Sequence, residues 1–351
     1  MRRHANWRPT VDYGNVNAAA AEEDRALGFT LPLSPLPPDE QLVYAVVAAE
    51  LGYESCWFGE GSNDDTLVLA GAVAARTDLA VATGIVPVYN RTPMILAMAA
   101  STLSRLTGGR FVLGLGASTK GIIENWNGVP HKRPLARMRE TIHVIRELFS
   151  GDPVTFSGDE IHVHRARLEA PPEVPPKIHI AALNRRMLEL SGEVADGVII
   201  NLLGPEHVPM LLEDVAAGAA KAGRSLSDVE VVARLQVALD IPREEARTRS
   251  RSAFGPYVAA SGYNRFFRRI GFESEADLIA AAMETGDREG VAAGLSDRLA
   301  DALLVSGSAE QCRRRFSEYR ESGVDRIVLI PQASSAEECW AMLRTFAPAG
   351  A

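Results

Sequence analysis

The chain has 351 residues, 46% of them hydrophobic, with a formal net charge of −8 and an isoelectric point near 5.5. That length and apolar content form a sizeable core, as one barrel or as two ordinary domains. The acidic balance argues against a nucleic-acid or anionic-membrane partner, and no apolar run approaches membrane-spanning length.

Three cysteines (Cys56, Cys312, Cys339) make no metal spacing, and their odd number fits a reducing cytoplasm. Residues 1–25 read as an N-terminal tail, either a mobile extension or, on the strength of Trp7 and Tyr13, a dimer-clasping arm. The remainder, 26–348, reads as one domain.

In chain order, short apolar runs stop at small or polar residues and give way to stretches of helical spacing. LGFTLPL (27–33) predicts the first strand. Pro37 and Pro38, then Asp39 and Glu40, predict a helix start whose acids suit the positive end of the dipole. Strands two (55–59), three (79–85) and four (110–115) follow, with helices over 66–76, 93–106 and 134–149. Asp64 and Asp65 suit the cap of the helix after strand two. SGDE between two alternating runs predicts a β-hairpin near 153–170.

Strands five (177–182), six (197–202) and seven (229–239) come next. The stretch 240–304, with FGPYVAASGYNRFFRRIGF, predicts a helical insertion. Its RFFRR cluster and the later RRRF read as solvated helix faces and a lid. A capped helix and DRIVLIP complete eight units. Continuous apolar strands alternating with helices belong to parallel sheets covered on both faces. The pattern therefore predicts an α/β fold, a (β/α)8 TIM barrel with insertions after strands 3, 4 and 7, whose loops at the strand ends build the site.

Several segments carry candidate chemistry. In TGIVPVYN, Gly84 permits close approach to a flat ring, next to Ile85, Val86 and Pro87. GLGAST places Gly116, Ala117 and Ser118 after a strand, with hydroxyls and amides for a phosphate or ring edge. Glycines required only for barrel packing explain that motif equally well. In AALNRRML, strand five ends at Ala181 and Ala182, Leu183 follows, and Asn184 suits the cap of a helix starting at Arg185. The amides of that turn, assisted by Arg185, suit a phosphate, or the arginines are solvated charge. Glu60, directly after strand two, is the candidate general acid or base, since an apolar pocket raises a carboxyl pKa toward neutrality. A polar loop residue is the other reading of Glu60. Trp126, Asn127 and His131 suit a pocket lining. His162 and His164 share a face but lack the further ligand of a metal site, so no metal is expected.

TGIVPVYNRTP, GGRFVLGLGAS with NWNGVP, AALNRRMLELSGEVADGVIINLLGPEHV and SGVDRIVLIP together resemble the luciferase-like superfamily. Within it they are most similar to the deazaflavin branch that includes methylenetetrahydromethanopterin reductase, in register over about 27–332. The resemblance implies the barrel, an insertion after strand seven, and coenzyme F420 at the C-terminal strand ends. It also implies a non-proline cis peptide behind the deazaflavin, which by position falls at Gly84–Ile85. Three departures stand out. Pro87 replaces a polar residue common in relatives, and Asn184 replaces a Gly-Pro or Gly-Arg turn. No histidine follows strand two, which sets alcohol and glucose-6-phosphate substrates aside. The resulting expectation is an F420-dependent oxidoreductase passing a hydride to or from a small organic substrate, as a homodimer. The alternatives are an FMN-dependent monooxygenase, a barrel lyase or aldolase, and a non-catalytic cofactor-binding protein. The lyase reading lacks a strand-borne lysine, Lys120 and Lys177 being poorly placed.

Overall fold

The computed structural model describes residues 27–348. The tail with Trp7 and Tyr13 lies outside the described residues.

Eight parallel strands close on themselves as a (β/α)8 TIM barrel. They are β1 (Leu27–Leu31), β2 (Ser55–Phe58), β3 (Ala80–Thr83), β4 (Phe111–Gly116), β5 (Lys177–Ala181), β6 (Gly197–Asn201), β7 (Glu230–Leu239) and β8 (Arg326–Pro331). Each strand pairs with its chain neighbours, and β8 returns to β1 through Leu27–Ile327 and Phe29–Leu329. All five residues of β1 and all four of β2 are buried, because helices cover the outer face. Inside the barrel Trp57, Ala82, Ile199, Val232 and Val328 form their own small core, one residue from each of five strands.

The helices follow local rules. The helix α1 (Pro38–Glu50) has Pro38 in its first turn with Asp39 and Glu40. The helix α2 (Thr66–Ala74) is capped by Asp65, whose carboxylate accepts from the amides of Leu67 and Val68 at 3.0 Å each. Asp64 does not cap; it accepts from Gln41 at 2.8 Å, which ties the first two βα loops together. Then come α3 (Pro93–Leu106) and α4 (Pro134–Leu148), with a π-helical turn (Ile122–Trp126) between β4 and α4. An antiparallel pair, Val154–Ser157 with His162–Ala166, stands between α4 and β5. The helices α5 (Arg185–Val194) and α6 (Val208–Lys221) flank β6.

Between β7 and β8 lie α7 (Arg243–Ala259), α8 (Ser261–Arg269), α9 (Glu273–Thr285), α10 (Arg288–Ala293), α11 (Asp297–Leu303) and α12 (Ala309–Glu321). A short strand, Val305–Gly307, extends the edge of β7. The helix α13 (Ala336–Thr345) ends the described chain. The RFFRR cluster is not a solvated face. Phe266 and Phe267 are fully buried, while Arg268 and Arg269 pair with Asp277 and Asp214. Alternating aromatic and cationic residues here divide between a core and a rim.

Candidate functional site at the barrel mouth

β3 ends at Thr83 rather than continuing to Ile85, because the chain turns out of the sheet at Gly84. The Gly84–Ile85 peptide bond is cis, the position that the resemblance implied. The Thr83 hydroxyl replaces the broken ladder, donating to the Gly114 carbonyl and accepting from the Gly114 amide at 2.8 Å each. Val86 and Pro87 then rejoin β4 opposite Leu115 and Gly116. A methyl group on Gly114 would sit 1.9 Å from the Thr83 carbonyl oxygen, and one on Gly116 would sit 2.6 Å from Ile85 Cδ1. Both positions require a bare backbone.

The Ile85 side chain therefore covers Gly116, and Trp57 and Arg234 pack beside Gly84 on the β3–β5 half of the mouth. The opposite half is polar. Thr30 on β1, Asn201 on β6 and Arg234 and Gln236 on β7 stand here, and Gln332 after β8 donates to Gln236 at 2.6 Å. Left-handed non-glycine residues cluster at the same end: Ser118 after β4, Leu202 after β6 and Asp240 after β7, with φ of 58°, 55° and 53°. Each costs on the order of 1 kcal/mol or more, and such residues concentrate at functional sites.

Glu60 lies where the sequence placed it, beside the bulge: its amide donates to the Ile85 carbonyl at 3.1 Å. Its surroundings differ from expectation. The carboxylate is only 11% exposed, yet it is not in an apolar pocket. It accepts from Asn90 and is paired with Arg91 at 3.2 Å. Arg91 also holds Asp65 at 2.8 Å, and Asn90 accepts from Asn127 at 2.9 Å. The loops after β2, β3 and β4 are therefore one network centred on Glu60. His131 fixes the β4 loop through the Ala117 carbonyl at 3.1 Å, while Trp126 is largely exposed.

The turn at Ala182, Leu183 and Asn184 is held by the Ala182 amide on the Ile199 carbonyl at 3.1 Å. Asn184 occupies the N-cap position of α5 in extended conformation (φ −96°). Its side chain does not cap, contrary to expectation; it donates 2.9 Å across the mouth to the Gly262 carbonyl of α8. The amides of Met187 and Leu188 both reach the Asn184 carbonyl. The amides of Arg185 and Arg186 precede that bond, so they lie among the orphan donors of a helix start. The Arg185 guanidinium points along the helix to Glu189 at 2.8 Å, so the turn offers backbone amides rather than that side chain.

Sequence reading missed Arg234, Asn90, Arg91 and the lid tyrosines. Arg234 crosses the barrel from β7 and donates to the Gly84 carbonyl and to Thr30 Oγ1 (3.1 Å). Tyr263 of α8 bonds Asn201 and stacks edge-on with Tyr257 of α7, ring centroids 5.7 Å apart, so the insertion roofs the mouth. A single charge within VVARLQVAL was the available signal, since an ionisable residue in an otherwise buried strand requires a reason.

Relatives agree with this architecture. A 5,10-methylenetetrahydromethanopterin reductase of Archaeoglobus fulgidus is 30% identical over 293 residues, 81% of this chain and 87% of that protein. A putative coenzyme F420-dependent oxidoreductase of Mycobacterium tuberculosis is 26% identical, covering 86% and 93%. The solved coenzyme F420-dependent tetrahydromethanopterin reductase of Methanopyrus kandleri superposes with a TM-score of 0.77 at 22% identity, covering 92% of this chain and 98% of that one. The family model described as luciferase-like monooxygenase matches residues 19–326, most of the chain, and the protein therefore belongs to the luciferase-like monooxygenase family.

Proposed function

We propose that this protein is a coenzyme F420-dependent oxidoreductase that moves a hydride to or from a small organic substrate at the barrel mouth. The observation that carries the reading is the two-sided mouth. On one side the Ile85 side chain lies over the bare Gly116 backbone, an apolar face suited to a flat tricycle, and the facing half supplies hydrogen-bond donors to its polar edge. Orphan amides at the start of α5 fit a phosphate. When bound, the deazaflavin supplies a carbon, C5, that exchanges hydride.

The chain's own residues do the rest. The amides of Arg185 and Arg186 hold the phosphate, with Asn184 tying this turn to the lid. Gly84, Ile85, Val86 and Pro87 back the ring, and Gly116, Ala117 and Ser118 border it. Glu60, oriented by Asn90 and Arg91, moves the proton that balances the hydride at a carbonyl, imine or activated C=C. Tyr257 and Tyr263 exclude water. Orientation in a dry pocket is the main contribution of such a site.

The name of the family keeps a flavin monooxygenase as the second reading. Equilibrium titration with coenzyme F420 and with FMN separates the two. The deazaflavin is expected to bind more tightly; tight FMN binding with no F420 binding would replace this reading with the other. We further propose a homodimer. Val68 of α2 is 73% exposed, and Ile95, Met98 and Leu106 of α3 are close to half exposed on the adjoining face, a patch suited to a second copy. Sedimentation of Met98→Asp as a monomer, with the wild type a dimer, supports that face; a wild-type monomer rejects it. Among the described residues no helix is long and apolar enough to cross a membrane.

A further inference from the structure

Arg234 supplies the charge of the polar half of the mouth, and neither the hydride step nor the proton step proposed above gives this charge a partner. It stands two residues from Val232 of the inner core, so it faces the barrel axis, with its guanidinium near Thr30, Gly59 and Gly84. An arginine has five N–H donors. The Gly84 carbonyl and Thr30 Oγ1 each take one from a terminal nitrogen, and Nε is buried without a partner. Among the described residues, the titratable groups that act on it are the Tyr263 and Tyr257 phenols, not carboxylates. Arg91 shows the usual remedy, with two carboxylates on one guanidinium. Burial pushes Arg234 down to about 10, so it remains a cation at neutral pH. The residue as a whole is half-buried rather than sealed from solvent.

A cation withdrawn from water without a counter-charge costs stability that an apolar residue would not. A clamp on the Gly84 carbonyl alone would need only a neutral donor. One further N–H remains on each terminal nitrogen, and such a planar pair matches a planar anion two bonds at a time.

We propose that Arg234 is the anion anchor of the mouth, holding a planar delocalised anion in the form of a carboxylate or a conjugated ring oxygen. The ring's polar edge and a substrate carboxylate share this chemistry. Only the identity of the ring rests on the function proposed above; the anchor rests on Arg234 itself.

The test uses the full-length protein and its Arg234→Met and Arg234→Lys variants. Benzoate, its neutral isostere benzamide, and oxidised coenzyme F420 are the probes. The wild type is expected to bind benzoate at least tenfold more tightly than benzamide. Arg234→Met should abolish that preference, and Arg234→Lys should retain part of it. If the anchored group is the ring edge, F420 affinity falls tenfold or more in Arg234→Met and benzoate competes with F420. If it is a substrate carboxylate, F420 affinity holds and benzoate binds the F420-loaded protein. A wild type that does not distinguish benzoate from benzamide overturns the anchor, and this arm needs no variant to fold. A wild type that prefers benzoate but never binds F420 keeps the anchor and rejects the cofactor.

Discussion

At the N-terminal end of the barrel Arg326 donates to Glu230 and to Glu54 at 2.9 Å each, and Asp196 accepts from the Ile178 amide at 2.8 Å. At the mouth, on the same two-strand wall, Arg234 has two oxygen acceptors and no carboxylate. Three left-handed non-glycine residues also stand at the mouth ends of their strands. One end has its charges matched within the chain and holds the barrel together. The other matches Glu60, Arg91 and Asp65 among themselves but keeps spare donors on Arg234 and strained backbone in reserve, as expected where a ligand completes the set. His179 complicates the first end. It is fully buried, its two ring nitrogens have no hydrogen-bond partner, and Glu230 is 3.5 Å away. Burial pushes its pKa down to about 4 against the pull of Glu230 and Asp196, with Lys177 and Arg326 acting in the same direction as burial.

That makes His179 the largest expected effect and a way to sharpen the contrast. The native imidazole is neutral, whereas the unfolded chain takes up a proton near pH 6.5. Stability from this group is complete above about pH 6.5, declines as pH falls, and levels off below the folded value of about 4. That difference corresponds to about 3 kcal/mol. Urea unfolding of His179→Gln should show a flatter acid limb than the wild type across that window. Parallel limbs would mean that His179 is protonated in the folded barrel.

Glu60→Gln follows at the other end. The substitution keeps the hydrogen-bonding reach toward Asn90 but removes the titrating group, so turnover should fall about a hundredfold, equal to about 2.7 kcal/mol. Cofactor affinity and melting temperature should change little. Hydride exchange with a surrogate acceptor gives the rate; an unaltered rate would assign the proton to solvent or to the β4 loop.

The third test compares two arginines directly. Arg326→Met leaves Glu230 and Glu54 without their partner, and because these side chains are partly exposed the cost should be about 2 kcal/mol rather than the full buried-pair value. Arg234→Met should change stability by less than about 1 kcal/mol, or raise it, since an unpaired cation is removed. Equal losses in the two urea midpoints would break the distinction between the ends.

Much of the barrel was legible along the chain. VVARLQVAL and RIVLIP are mostly apolar, broken by Arg234 and Gln236 in the first and by Arg326 at the start of the second, because both faces are covered, and a strand of that kind declares itself locally. Asp65 could be read as a cap because capping reaches only two or three residues ahead. Asn184 satisfied the same local rule, yet its amide went to Gly262, 78 residues further on. Phe266 and Phe267 are flanked by arginines, a pattern that reads as a solvated helix face, but the insertion folds back and buries them. The network around Glu60 draws Asn90 and Arg91 from the next loop, 30 and 31 residues away, and no spacing rule spans that gap.

The sequence by itself determined the number and order of the strands, the helices between them and the end of the barrel at which chemistry belongs. These follow from apolar periodicity and from turn and cap preferences, which act over a few residues. Tertiary structure alone decided which polar groups are paired and which are left over. Gly84 meets Arg234 only because closure of the barrel sets β3 opposite β7, 150 residues apart. Whether a buried charge has a partner is a property of that closure, since Coulomb and hydrogen-bond energies depend on distance in space and not along the chain.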